Sequence, residues 1–249
     1  MLSSRKKQSF MARLKGILKI EGQLDGFSFY NLNGQIIVRK TGGFDGEKIK
    51  KNANYVRTRE NASEFGNCSK AGKVFRSSLE PYLKLLGNSK IHSMVTQLFT
   101  QIKDLDGVSE RGKRCVAEGI KTADGKKLVK NFNFSSNLSR NEHLEKVNLD
   151  LSSGAFSFCF FANKLPSDCV VSVTVLILNF DFETLTYYRS ASTVFTFSTE
   201  SDGSITDGTI QIPTGDGIPF GLLYVERKQV VNEESYRLIE NGIFVVGVG

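Results

Sequence analysis

An α+β fold is predicted for this 249-residue chain: an N-terminal β-hairpin plus amphipathic helices, then a C-terminal antiparallel β-sandwich of immunoglobulin-like size. Three observations predict it. Asn33-Gly34 separates two apolar runs, a strong hairpin signal because both residues tolerate positive φ. Apolar residues then recur at three- and four-residue steps from Phe65 to Leu105. Beyond residue 128, short alternating runs are separated by Asp, Gly, Ser and Pro.

The elements follow in order. Residues 1–11 read as a flexible tail, with Met11 a more natural start than Met1. Residues 12–45 form the hairpin: Leu18, Ile20 and Gly22 alternate, and Phe27–Tyr30 and Gln35–Lys40 flank the Asn33-Gly34 turn. Thr41 to Gly46 breaks the strand pattern. A first helix carries Phe65, Cys68, Gly72, Phe75, Leu79, Tyr82 and Leu86 on one stripe, and Pro81 divides it because proline lacks an amide donor. Ala62, Gly66, Ser69 and Gly72 allow a close approach to that helix. Gly87-Asn88 stops it, and Ser89 is the expected cap of the next helix. Ile91, Met94, Val95, Leu98, Phe99, Ile102 and Leu105 make one face of that second helix.

The remainder reads as about eight short strands. Phe132 and Phe134 alternate, as do Val147, Leu149 and Leu151, and Phe156, Phe158 and Phe160 share a face. Val171 to Asn179 is apolar on both faces toward its end. Val194–Phe197, Thr209–Ile212, Leu222–Val225 and Ile243–Val246 continue the series, with turns at 201–204 and 214–217. The domain boundary is expected at 127/128, between a basic hairpin and helical region (12–127) and an acidic sandwich (128–249).

Charge is distributed unevenly. Residues 1–130 hold 26 Lys+Arg against 12 Asp+Glu, whereas residues 131–249 hold 7 against 14. This asymmetry implies two surfaces suited to different surroundings. No window is apolar over the length of a membrane span. The N-terminus lacks the apolar core of a secretory signal, which leads us to expect a cytoplasmic protein. Cys68, Cys115, Cys159 and Cys169 are too scattered for a zinc site and read as reduced core thiols. A Cys159–Cys169 bond across neighbouring strands is the open alternative.

No reaction is legible, and the chain is expected not to be an enzyme. Nucleophilic catalysis needs a base beside its nucleophile. The two histidines, His92 beside an apolar helix face and His143 in a polar stretch, accompany no Gly-x-Ser-x-Gly elbow. The glycine cluster at 42–46 is not followed by Lys-Ser/Thr in loop spacing, and that at 214–217 lacks the strand–loop–helix setting of a phosphate site. The acidic residues between Glu200 and Asp207 are out of register for a calcium loop. No cofactor or metal is expected.

The basic residues are the remaining candidates. Arg57 and Arg59, before the first helix, and Lys70, Lys73 and Arg76, along it, are expected to bind a partner. Lys48, Lys50 and Lys51 precede them, and Arg111, Lys113, Arg114, Lys121, Lys126, Lys127 and Lys130 form a second cluster. Such charges steer a larger, acidic protein partner onto the face. The alternative is nucleic acid, held through phosphates in a salt-dependent way. Against it, aromatic and basic residues do not interleave as on a single-strand platform.

Two stretches carry a family resemblance. Ala12–Gly16 through Gly34–Lys40 with Val56–Gly66 forms the first; Leu222–Glu226 with Glu234–Leu238 forms the second. They look like an uncharacterised Bacteroidota family of small β-rich proteins. The chain is also similar to the Plug protein of the type 9 secretion translocon. That resemblance implies a non-enzymatic docking module which closes the periplasmic opening of an outer-membrane pore without inserting in the membrane. It implies a periplasmic location, for which an export route would be needed.

Overall fold

In the computed structural model, which describes residues 11–13, 20–41, 46–134, 138–139, 142–162, 165–232 and 235–249, four short antiparallel strands come first. They are β1 (Met11–Arg13), β2 (Gly22–Leu24), β3 (Phe27–Leu32) and β4 (Gln35–Lys40), in the order β1-β4-β3-β2. Asn33 and Gly34 take φ of 52° and 80°, the left-handed conformations that the expected turn requires. Asp25 and Gly26 make a second hairpin the same way, at 48° and 76°. Of the expected tail (1–11), Met11 belongs instead to β1, where it pairs with Arg39; residues 1–10, the Gly16–Lys19 part of the first run and the 42–45 part of the strand break lie outside the described residues.

Six helices follow: α1 (Gly46–Lys51), α2 (Val56–Ser78), α3 (Glu80–Leu86), α4 (Ile91–Asp104), α5 (Val116–Gly119) and α6 (Ala123–Lys130). Pro81 divides α2 from α3 as expected, sitting in the first turn of α3 where its missing N–H costs nothing. Gly87 closes α3 in the left-handed conformation. Ser89 does not cap α4. Lys90 holds that position, and the Asn88 side chain accepts from the Lys90 amide at 3.0 Å. Phe65 departs from the expected stripe: it is exposed, while Glu64 beside it is buried with Cys68, Ala71, Phe75 and Ser78. Of the four small residues expected to allow a close approach, Gly72 alone is packed that way. An added Cβ there would stand 3.6 Å from Val95 Cγ1, whereas nothing lies within 4 Å of one at Gly66.

Eight strands complete the described chain: β5 (Leu144–Leu149), β6 (Ala155–Phe160), β7 (Cys169–Asp181), β8 (Thr186–Ala191), β9 (Phe195–Phe197), β10 (Ile205–Thr209), β11 (Ile218–Asn232) and β12 (Ser235–Val248). They make a three-stranded sheet, β10-β6-β5, and a five-stranded sheet, β12-β11-β7-β8 with β9 also on β7. The strands are less uniform than expected, since β7, β11 and β12 run 13, 15 and 14 residues. Thr209–Ile212 is not a strand; β10 ends at Thr209.

The double-faced apolarity of β7 has a direct cause. Val171, Val173, Val175 and Ile177 pack with Phe156, Phe158 and Phe160 of the small sheet. The alternate residues Leu176, Leu178 and Phe180 pack with Phe75, Val95, Phe99 and Ile102 of the helices. Neighbouring side chains of a strand point to opposite faces, so a strand between two cores must be apolar throughout. Helices, large sheet and small sheet therefore form three layers.

This packing moves the domain boundary. The chain divides into compact units at 58/59, giving Met1–Thr58 and Arg59–Gly249, and not at 127/128. Helices α2 to α6 share a core with the strands and cannot be separated from them. The charge divides differently too. Residues 1–58 carry 12 Lys+Arg against 4 Asp+Glu, a net of +8, and residues 59–249 carry 21 against 22. Within the larger unit, residues 59–130 are net +6 and residues 131–249 net −7.

Candidate partner-binding surface

Helix α2 begins earlier than expected, at Val56, so Arg57 and Arg59 lie on it with Lys70, Lys73 and Arg76, and its geometry sorts the five. At about 100° per residue, Arg59, Lys70 and Lys73 fall within a sector of roughly 60°. Lys70 and Lys73 are exposed and Arg59 is half-buried. Arg57 is exposed at the start of the helix but lies about 160° around it from Arg59, in line with the buried stripe. Arg76 is half-buried, its pKa is lowered by that burial, and its Nη1 has no hydrogen-bond partner. The helix thus sets Lys70 and Lys73 side by side, with Arg59 on the same face about three turns away, and leaves Arg57 and Arg76 off that face.

Lys70 also borders a cleft of about 300 Å³ lined by Ala71, Cys115, Phe182, Glu183 and Leu185. Burial pushes the Cys115 thiol above its ordinary pKa, so it is a protonated, weakly nucleophilic group. Glu183 lies 3.7 Å from Lys121. The arrangement offers an ammonium and the Glu183 carboxylate at the rim of a largely apolar hollow.

Behind the exposed lysines, α2 is fixed by an ionic network. Glu64, 1% exposed, accepts from Lys103 Nζ at 2.7 Å, from Arg114 Nε and Nη2 at 3.0 and 2.9 Å, and from the Gly112 amide at 2.7 Å. Arg114 foremost, then Lys103 and the Gly112 amide, outweigh desolvation and hold Glu64 at a pKa of about 2. Asp106 nearby is buried too. Desolvation would raise its pKa, but the Ser109, Cys115 and Val108 amides overcome it and bring it to about 2. Every charge at the centre of the network is paired, and its role is to anchor α2 to α4 and the 105–115 loop. The sequence reading passed over Glu64. The available signal was its place in the buried sector of α2, since its partners lie 39 and 50 residues away.

The other candidates are apart. His92 is exposed on α4. His143 is not in a polar surface stretch but 3% exposed, 6.2 Å from the Phe160 ring. Burial lowers its pKa; Nδ1 lies 3.3 Å from the Phe161 carbonyl oxygen, and Nε2 has no partner. All four cysteines are free thiols, so Cys159 and Cys169 are not joined. Among the described residues, no three His, Cys, Asp or Glu side chains group as metal ligands. No described helix is long and apolar enough to cross a membrane. No protein-family model, no curated protein and no solved structure matches the chain.

Proposed function

We propose that this protein is a non-enzymatic docking module whose basic helical face meets an acidic surface on a larger protein. The observation that carries the reading is the exposure of Lys70 and Lys73 in one sector of a helix whose inner side is locked by the Glu64 network. The charged layer is thereby presented on a rigid element, and the layer as a whole, residues 59–130, is net +6. Such a surface speeds encounter and sets register, while apolar contacts supply most of the affinity. A translocon plug is the specific form of this reading that the resemblance to Plug implies. Nucleic acid is the alternative, favoured by the net +8 of residues 1–58, where Phe27 stands opposite Lys40 on neighbouring strands.

The test is affinity purification of the tagged chain from its native cells, with cytoplasmic and envelope fractions kept separate and nuclease controls. Nuclease-resistant recovery of a large acidic protein is the expected result, and its recovery with the envelope would favour the plug form. Nuclease-sensitive recovery, with log affinity falling by about 0.9 per neutralised phosphate per log unit of salt, would overturn it in favour of nucleic acid.

A further inference from the structure

The three-stranded sheet is too narrow for the sheet it covers. β5 and β6 lie over the middle of the large sheet, where Leu149 and Leu151 reach Gly221 and the Phe156–Phe158–Phe160 row meets Phe195 and Phe197. β10 is the last strand of the small sheet, and β8 is an edge of the large one. Along β8, Thr186, Tyr187, Tyr188, Arg189 and Ala191 are all exposed, in contrast to the burial of neighbouring β7. Among the described residues, no strand pairs with the outer edge of either β8 or β10.

The side chains at this opening are small where those farther in are large. β10 turns Thr206 and Gly208 inward, opposite Phe158 and Phe156, and a Cβ at Gly208 would meet the Phe156 ring at 2.8 Å. β8 presents Ser190 on the same side, opposite Ile177, and Ser192 follows opposite Val175. The result is a cleft of about 610 Å³ with Phe156 and Phe195 in its wall and Thr209 and Gln211 at its margin. Its size is within the ordinary range of binding clefts. An open strand edge presents unpaired backbone N–H and C=O groups that an extended chain can satisfy.

Charge selects the occupant. β10 and the turn that leads into it, residues 199–209, carry Glu200, Asp202 and Asp207 and no base. Arg189 borders the cleft, but its guanidinium is engaged: it donates to the Ser78 carbonyl oxygen and lies 5.3 Å from the Tyr82 ring centroid.

We propose that a partner protein adds an extended, lysine- or arginine-bearing strand to the outer edge of β10, completing the small sheet as its fourth strand over β8. Alternate residues of that strand point into the cleft and are small or medium apolar; the others carry the positive charge toward Asp207. This site is separate from the basic face of α2 and opposite to it in polarity, so it stands whether or not that face docks on protein.

The probe is an end-blocked octapeptide alternating lysine and valine, added to the full chain and followed by titration and by hydrogen exchange of backbone amides. The expected result is saturable binding with slowed exchange at residues 205–209. N-methylation of alternate peptide amides, which removes strand-pairing donors and keeps the charge, should weaken binding at least about tenfold, and Asp207→Lys should weaken it several-fold. Equal binding by the N-methylated peptide would show plain charge attraction and overturn the proposal. No binding up to about 1 mM, or protection confined to other strands, would overturn it as well.

Discussion

The two faces of the central sheet are built by the same strands and finished differently. On the helix side, Phe75 is the hub of a closed cluster, with ring centroids 5.3 Å from Phe99 and Phe180 and 5.6 Å from Phe220. Glu64 and its cations tie two of the covering helices together, and Gly119 lets α5 approach the backbone of α4 at Ile102. On the other side, five phenylalanines from β6 and β9 form an equally aromatic core, but the layer stops at β10 and leaves the cleft. The difference teaches that the strands supply apolar area to both faces alike, and the width of the covering layer decides which face is sealed.

The contact that seals the helix side most tightly should give the largest effect when broken. A methyl group on Gly119 would clash with the Ile102 carbonyl oxygen, backbone against backbone, with no flexible side chain to yield. Gly119→Ala is expected to abolish the cooperative thermal transition that the unmodified chain should show. A melting curve like that of the parent would show that α5 can shift away from α4.

Next come the buried charges of the helix side. Glu64→Gln removes the buried carboxylate that Lys103 and Arg114 share, leaving them only the half-exposed Asp104, and is expected to cost about 3 kcal/mol in urea unfolding at neutral pH. Because the folded-state pKa of Glu64 is depressed from 4.5 to about 2, its contribution is present above pH 4.5 and is lost as pH falls toward 2. Parent and variant curves should therefore converge in that window. His143, on the sheet side, acts at higher pH. Its folded pKa lies below the ordinary 6.5, so the stability gained by keeping it neutral is present above 6.5 and declines as pH falls through that value. His143→Gln should flatten this part of the profile and leave the Glu64 part unchanged.

The comparison sharpens with paired aromatic deletions. Phe75→Ala removes a ring that is 1% exposed and touches five others, at an expected cost of about 3–5 kcal/mol. Phe195→Ala removes a half-buried ring beside the cleft, where less is lost, and about 1 kcal/mol is expected. Equal costs would mean that the sheet side is as tightly closed as the helix side.

The parts legible in sequence were those set by neighbours along the chain. Asn33-Gly34 fixed a turn, Pro81 and Gly87 fixed helix ends, and the spacing from Ile91 to Ile102 fixed the face of α4. The apolar run of β7 was visible, but its meaning required knowing that both faces would be covered. The 127/128 boundary failed for the same reason, because composition changes there while the core continues across it. The step from Phe65 to Cys68 suits the stripe, yet at about 100° per residue Phe65 falls to one side of the line through Cys68 and Phe75. Of the five basic residues, spacing could not show that Arg76 would be tucked in. The cleft had no linear signature, since it depends on which strands end their sheets.

The smallest expected effect on stability separates surface from scaffold. Lys70 and Lys73 are exposed, and lysine and glutamate have similar helix propensity. Lys70→Glu with Lys73→Glu should therefore change stability by no more than about 0.5 kcal/mol per site. The same pair lowers the net charge of residues 59–130 from +6 to +2. If α2 steers an acidic partner, association with the partner recovered by affinity purification should slow at low salt, and raising salt should shrink the difference as the charges are screened. Dissociation should change less, because exposed charges at a rim act mainly on encounter. An unchanged association rate at low salt would remove α2 from the interface and leave its lysines as a solvated face. A large loss of stability would instead make the two lysines part of the scaffold.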